Sequence, residues 1–142
     1  MVDVAAPTMS TYSPAQAATG VAISSDVVLT FSETVVAGSG NIVLTPSSGS
    51  ATTIAIGDGQ VTISTNTVTI DPSSNLLDSV QYTVTMAPGV LKDGSNNNFA
   101  GLKGTTYCFT MVDVTAPTMS TYSPAQPATR VAITVASNLC FT

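Results

Sequence analysis

A long internal repeat constrains this chain more than any other feature of its sequence. Residues 2–16 read VDVAAPTMSTYSPAQ, and residues 112–126, 110 positions further on, read VDVTAPTMSTYSPAQ. The two copies differ only at their fourth residue, which is alanine in the first and threonine in the second. A period near 110 residues is too long for a solenoid and is typical of a self-contained β-sandwich domain. The repeat therefore predicts a complete domain over residues 1–111 and the truncated start of a second, its first two strands only, over residues 112–142.

Short runs of alternating apolar and polar residues follow one another between the two copies. In residues 26–32, for example, Val27, Leu29 and Phe31 would share one face of a strand. Turn signals such as Gly57-Asp58-Gly59 separate these runs every 8–12 residues. The pattern predicts an all-β fold of seven to eight antiparallel strands, an immunoglobulin-like antiparallel β-sandwich.

The composition excludes several classes of function. The chain contains no histidine, which removes Ser-His and Cys-His catalysis and histidine-ligated metal sites. Its formal net charge of −5, with 3 basic against 8 acidic residues, has the wrong sign for a phosphate backbone. No apolar run approaches the roughly 20 residues that span a bilayer. We therefore expect no enzyme, no nucleic-acid partner and no membrane span.

The two cysteines, Cys108 and Cys140, are expected to be free thiols. Each lies in a strand-like run between apolar residues, as in Tyr107-Cys108-Phe109. The flanking side chains would face the core, which would turn the sulfur outward.

The chain resembles the bacterial Ig-like domains of the type first recognised in S-layer proteins, which occur as tandem arrays in exported surface proteins and adhesins. The resemblance spans Asp3 to about Met111 and implies a spacer or adhesive module outside the cell, without catalytic residues. The segments that carry it are Asp3–Thr8, Ser13-Pro14-Ala15, Ala18–Ala22, Phe31–Val35, Gly40-Asn41-Ile42, Leu91-Lys92-Asp93, Phe99-Ala100-Gly101 and Tyr107–Thr110.

The sequence departs from this family in two turns, and its two copies differ from each other in a third. Family members usually have Asp-Gly where Gln16-Ala17 stand and Gly-Asn where Asn96-Asn97 stand. Asparagine tolerates a left-handed backbone better than other non-glycine residues, so the second change is mild. The second copy has Arg130 where the first has Gly20, which makes the same turn less certain there.

Carboxylates are the candidates for a metal site. Aspartates at strand ends usually cap turns through their own backbone, which we expect of Asp26, Asp58, Asp71 and Asp78. Calcium prefers oxygen ligands, and related tandem Ig-like adhesins use linker aspartates for it. If the loop at residues 92–97 lies at the same end of the domain as the linker after it, Asp93, Asn97 and Asp113 would form a calcium site at the domain junction.

The partners expected of such a module are neighbouring repeats of the same chain. A second possibility is a surface glycan or protein, held by Gly57-Asp58-Gly59 or by the loop at residues 92–98. A third is self-association into filaments by strand exchange, because residues 117–133 nearly duplicate residues 7–23. The N-terminus shows no secretory signal, so either the parent protein is cytosolic or the chain is a piece of a longer exported protein. The expected extracellular or cell-surface location requires the second.

Overall fold

The computed structural model describes residues 2–121 and 123. Their secondary structure is built from strands and turns, and the predicted all-β class is confirmed. Eleven strands lie within these residues: β1 (Met9–Ser13), β2 (Ala18–Val21), β3 (Val27–Phe31), β4 (Val36–Ala37), β5 (Asn41–Pro46), β6 (Thr52–Ala55), β7 (Val61–Ser64), β8 (Thr67–Ile70), β9 (Gln81–Met86), β10 (Leu91–Lys92) and β11 (Cys108–Met111).

The strands form two main sheets with an immunoglobulin-like order. One sheet has the order β1-β3-β8-β7, and the other has the order β2-β11-β9-β5-β6. All neighbours are antiparallel except β2 and β11, which run parallel. The number of strands exceeds the predicted seven to eight for two reasons. The N-terminal edge divides into β1 and β2, one in each sheet, and β4 and β10 add a separate two-residue ladder.

The core lies between the inner faces of the two sheets. The predicted alternation in β3 is confirmed, because Val27 and Leu29 are fully buried and Phe31 is 1% exposed. Phe31 packs edge-on against Phe99, with ring centroids 5.1 Å apart. The buried core cluster runs from Val21 to Met111, so the described part of the chain after Met111 adds nothing to it.

The N-terminal edge crosses from one sheet to the other between β1 and β2. Tyr12 in β1 stacks on the fully buried Tyr107, with ring centroids 4.3 Å apart. The Gln16 side chain then accepts a hydrogen bond of 2.8 Å from the Cys108 amide. Ala17, in a left-handed conformation at φ 62°, donates its amide to the Cys108 carbonyl at 2.8 Å. These contacts fasten the crossing to β11.

A tyrosine fixes the connection between β8 and β9. The Tyr82 hydroxyl, near the start of β9, accepts a hydrogen bond of 3.0 Å from the Leu77 amide five residues upstream. Immunoglobulin-like sandwiches place a tyrosine of this kind at the corresponding corner.

The chain enters and leaves this domain at opposite ends. Met9 pairs with Phe31, so the N-terminal segment lies where β3 ends. At the other end, where β3 begins, the Val112 amide donates to the Val21 carbonyl at 2.8 Å and the Leu76 amide donates to the Ile23 carbonyl at 2.9 Å. We call the end with Asp3, Glu33 and Asp93 the leading end, and the end with Asp78, Ser79 and Val112 the trailing end.

Candidate functional site

Three carboxylates converge at the leading end. Asp3 precedes β1, Glu33 follows β3 and Asp93 follows β10, and the topology brings these segments together. One carboxylate oxygen from each residue lies within 4.8 Å of those of the other two. Asp93 is 3% exposed, whereas Asp3 is exposed. Oxygen atoms in such a group are the ligands that calcium takes.

Asp93 also holds its own loop together. Its Oδ1 accepts hydrogen bonds from the amides of Ser95 at 2.9 Å and Asn97 at 2.7 Å. Its Oδ2 accepts one from the Asn97 side-chain amide at 2.7 Å. Because a carboxylate oxygen has two lone pairs, both of those on Oδ1 are used and one on Oδ2 stays free. The main role of Asp93 is therefore to stabilise its own loop, and few of its lone pairs are left to bind an ion.

The electrostatics of the leading end follow from this arrangement. Partial burial raises the pKa of Glu33, and the negative charges of Asp3 and Asp93 raise it further. Burial alone would also raise the pKa of Asp93, but the hydrogen bonds from the side chain and amide of Asn97 and from the Ser95 amide outweigh it. The net effect is a lowered pKa. At neutral pH the cluster therefore carries mutually repelling charges.

The structure brings together two of the three residues predicted for calcium. Asp93 and Asn97 are in direct contact, but Asn97 presents its nitrogen, which donates to Asp93 and, at 3.0 Å, to the Asp3 carbonyl. Asp113 lies beyond β11 at the trailing end, where its carboxylate caps the Thr115 amide at 2.8 Å. The loop and the linker that follows the domain are thus at different ends, because β11 runs away from the leading end.

The trailing end has a polar contact of its own. The Thr115 hydroxyl donates a hydrogen bond of 2.8 Å to Oδ2 of Asp78, and the Ser79 amide donates one of 3.2 Å to the Val112 carbonyl. The bond from Thr115 lowers the pKa of Asp78 against the opposing effect of burial. These bonds hold the segment after β11 against the domain.

Cys108 departs from the expected outward thiol. Tyr107 and Phe109 face the core as predicted, at 0% and 1% exposure. The sulfur lies on the opposite face of the sheet, but Gln16 covers it, with Nε2 at 3.8 Å from Sγ, and Cys108 is only 8% exposed. It is a free thiol in the structure, and Cys140 lies outside the described residues.

A shallow polar groove adjoins the loop after β10. It has a volume of about 430 Å³ and is lined by Lys92, Asn96 and Asn98 and by residues 38–39 and 88–89. The Lys92 ammonium donates a hydrogen bond of 2.6 Å to the Asn96 side chain. The other predicted contact loop, Gly57-Asp58-Gly59, lies between β6 and β7, and there Asp58 caps the Gln60 amide at 2.9 Å.

Sequence reasoning missed Asp3 and Glu33 at the leading end and the contact of Thr115 with Asp78. The repeat contained a usable signal, because Asp3 stands where Asp113 stands in the second copy. The linker in front of the domain was therefore as good a candidate as the linker behind it to supply the aspartate that lies beside Asp93.

Within residues 2–121 and 123, no helix has the length and apolar character needed to cross a membrane.

Comparison with known proteins agrees with this architecture. A search of curated proteins found no match to the chain. The family model of the bacterial Ig-like domain matches residues 3–111, which cover both main sheets. Such domains are generally non-catalytic structural modules and are often associated with the bacterial surface. The chain therefore belongs to the bacterial Ig-like domain family.

Proposed function

We propose that residues 1–111 form a structural spacer in a tandem-repeat protein of the bacterial cell surface, as the resemblance to S-layer-type arrays implies. In this role the domain is a stiff unit that sets the distance between other parts of the protein. The role proposed for it is structural rather than catalytic, and the proposed location is outside the cell.

One observation carries this proposal. The chain enters at the leading end and leaves at the trailing end, and linkers that differ at a single residue precede and follow the domain. With linkers at opposite ends, successive domains would follow one another end to end, and each copy would add its length to the array. A binding module alone would not need its two linkers at opposite ends.

The core also suits a spacer. The two sheets enclose a single cluster of buried apolar side chains, and β2 and β11, the first and last strands of the larger sheet, are neighbours. Because β2 continues the entering edge after β1, its pairing with β11 connects the entry of the chain to its exit.

Small-angle scattering on a two-copy chain tests the proposal. Residues 1–118 followed directly by residues 9–121 preserve the repeat, because Thr118 and Thr8 occupy the same place in it. We expect a maximum dimension roughly double that of residues 1–121 alone. A compact particle with the two copies side by side would contradict the spacer role. Protease accessibility of the parent protein on intact bacteria tests the location.

The groove beside Lys92 favours a second candidate function, binding of a surface glycan or protein. Its lining offers an ammonium group and side-chain amides, which suit hydroxyl and carbonyl groups of a ligand. A glycan array with the chain, with Lys92→Met and with the control Lys103→Met tests it. Signals lost only in Lys92→Met would support binding in this groove, and a blank array for the unchanged chain would contradict glycan binding.

A further inference from the structure

The linker sequence occurs twice in the described residues, and the structure shows it in two different settings. Residues 2–8 lie in front of the domain, and residues 112–118 lie behind it. If the domain is a spacer in a tandem array, as proposed above, each internal linker has both settings at once. The two sets of contacts can therefore be combined residue by residue.

The linker behind the domain is held through its first four residues. Val112 exchanges backbone hydrogen bonds with the trailing end, donating to the Val21 carbonyl at 2.8 Å and accepting from the Ser79 amide at 3.2 Å. Thr115 then donates its hydroxyl to Asp78 at 2.8 Å. The first half of the linker thus belongs to the domain that it leaves.

The linker in front of the domain is held mainly through its later residues. The Asp3 carbonyl accepts the Asn97 side chain at 3.0 Å. Thr8 and Ser32 exchange two hydrogen bonds, from the Thr8 amide to the Ser32 hydroxyl at 3.1 Å and from the Ser32 amide to the Thr8 carbonyl at 2.9 Å. Pro7, between them, is buried. The second half of the linker belongs to the domain that it enters.

The two settings are compatible in conformation. The same turn forms in both, with the Ala5 amide donating to Oδ1 of Asp3 at 3.0 Å and the Thr115 amide donating to Oδ1 of Asp113 at 2.8 Å. The domain contacts themselves use different atoms, so one set does not displace the other.

Burial shows the same division. Val2 is 80% exposed in front of the domain, whereas Val112, which occupies the same place in the repeat, is half-buried behind it. Pro7 is buried and Pro117 is exposed. The valine is therefore covered only behind the domain that the linker leaves, and the proline is covered only in front of the domain that the linker enters.

We propose that residues 112–118 form a rigid joint, held at the same time by the trailing end of one domain and by the leading end of a second copy. The partner of the trailing end is then the next copy, which places Asp113 beside the counterpart of Asn97 and Thr118 beside the counterpart of Ser32. Between Thr115 and Pro117 the joint leaves a single residue, Ala116, outside the two sets of contacts, which is too short a segment for a flexible hinge.

The fourth residue of the linker determines whether the linker forms a side-chain hydrogen bond with the trailing end. Thr115 has the hydroxyl that binds Asp78, and Ala5 at the same place in the first copy has none. A joint of the Ala5 type would keep the turn but lose this bond. The one difference between the two copies of the linker thus distinguishes a firmer joint from a looser one.

Backbone relaxation measurements on the chain of 142 residues test one half of the joint, the clamp of residues 112–115 on the trailing end, without a second complete copy. We expect order parameters at residues 113–116 of about 0.85, as in a rigid backbone, and a fall below about 0.6 in Thr115→Val, which keeps the shape but loses the hydroxyl. Thr115→Ser keeps the hydroxyl and should match the unchanged chain. Equal values in all three proteins would contradict the clamp.

Residual dipolar couplings of the two-copy chain test the joint itself. We expect both copies to share one alignment tensor, and the tensors to diverge when Thr115→Ala weakens the linker. Unrelated tensors in the unchanged two-copy chain would overturn the rigid joint but leave an elongated spacer intact. A side-by-side particle in scattering would instead overturn the spacer.

Discussion

The Tyr107 hydroxyl donates a hydrogen bond of 2.7 Å to the carbonyl oxygen of Pro14, 93 residues earlier in the chain. Burial raises the pKa of Tyr107, so this hydroxyl stays protonated and able to donate. The bond joins the crossing between the two sheets to the start of β11.

Replacing Tyr107 by phenylalanine should destabilise the domain by about 1–2 kcal/mol, because the Pro14 carbonyl loses a partly buried donor. Chemical denaturation of residues 1–111 measures the effect. Tyr12→Phe is the matched control, since it keeps the stacked ring and should change the free energy of unfolding by less than about 0.5 kcal/mol. Equal losses in the two variants would show that the hydrogen bond contributes nothing of its own.

Replacing Ala17 by glycine should leave the domain equally stable or stabilise it by up to about 1 kcal/mol. Ala17 has φ 62°, where an L side chain costs roughly 1–2 kcal/mol, and glycine removes that cost while adding entropy to the unfolded state. Ala15→Gly two residues earlier relieves no such strain and should destabilise. A clear loss of stability in Ala17→Gly comparable to that in Ala15→Gly would contradict this interpretation.

Replacing Glu33 by glutamine should stabilise the domain at neutral pH and have little effect in acid. The folded pKa of Glu33 is raised above its ordinary value of 4.5, so the folded state loses stability as the pH rises from that value through the raised pKa. Thermal unfolding of both proteins between pH 3 and pH 8 measures the difference. A stabilisation by Glu33→Gln that is seen only in acid would contradict the raised pKa of Glu33.

Calcium at a domain junction stays a prediction of the sequence. At the leading end, the carboxylates of Asp3, Glu33 and Asp93 are the group to test, and the predicted Asp113 would reach such a group only in a following copy. Calorimetry with calcium on the two-copy chain checks this. Heat that disappears in Glu33→Gln would support the site, and no heat in the unchanged chain would contradict it.

Self-association by strand exchange also has a direct test. Residues 119–126 repeat the residues with which β1 and its continuation contact β3, Tyr107 and Cys108, so they could replace β1 in a second molecule. The exchange should stop at Gln126, because Pro127 has no amide to donate where Ala17 does and cannot adopt a positive φ. We expect oligomers of the full chain at high concentration and monomers of residues 1–111; monomers of both would refute the exchange.

The strands and the core were predictable because they depend on local pattern. Alternation placed Val27, Leu29 and Phe31 on one buried face without knowledge of their partners. The left-handed conformation at Asn96, φ 75°, also agrees with the tolerance of asparagine for that region. Asp58 caps its own turn as expected, whereas the Asp78 carboxylate accepts the Thr115 hydroxyl from the segment after β11. The described hydrogen bonds include no turn capped by Asp26 or Asp71.

The candidate site was less predictable because it depends on which ends of distant strands meet. Nothing local distinguishes Asp113 from Asp3 as the companion of Asp93, and only the direction of β11 decides between them. The cover that Gln16 gives Cys108 has the same origin, since it requires β2 to leave the sheet of β1.

The parallel pairing of β2 with β11 determines how the domain would resist a mechanical pull. Tension applied through the two linkers acts on β1 and, through it, on β2 toward the leading end, and it acts on β11 toward the trailing end, along the shared direction of β2 and β11. The ladder between them is then loaded in shear, so its hydrogen bonds must break together rather than unzip one by one. A domain with this pairing would keep its length as the force rises and would then unfold abruptly.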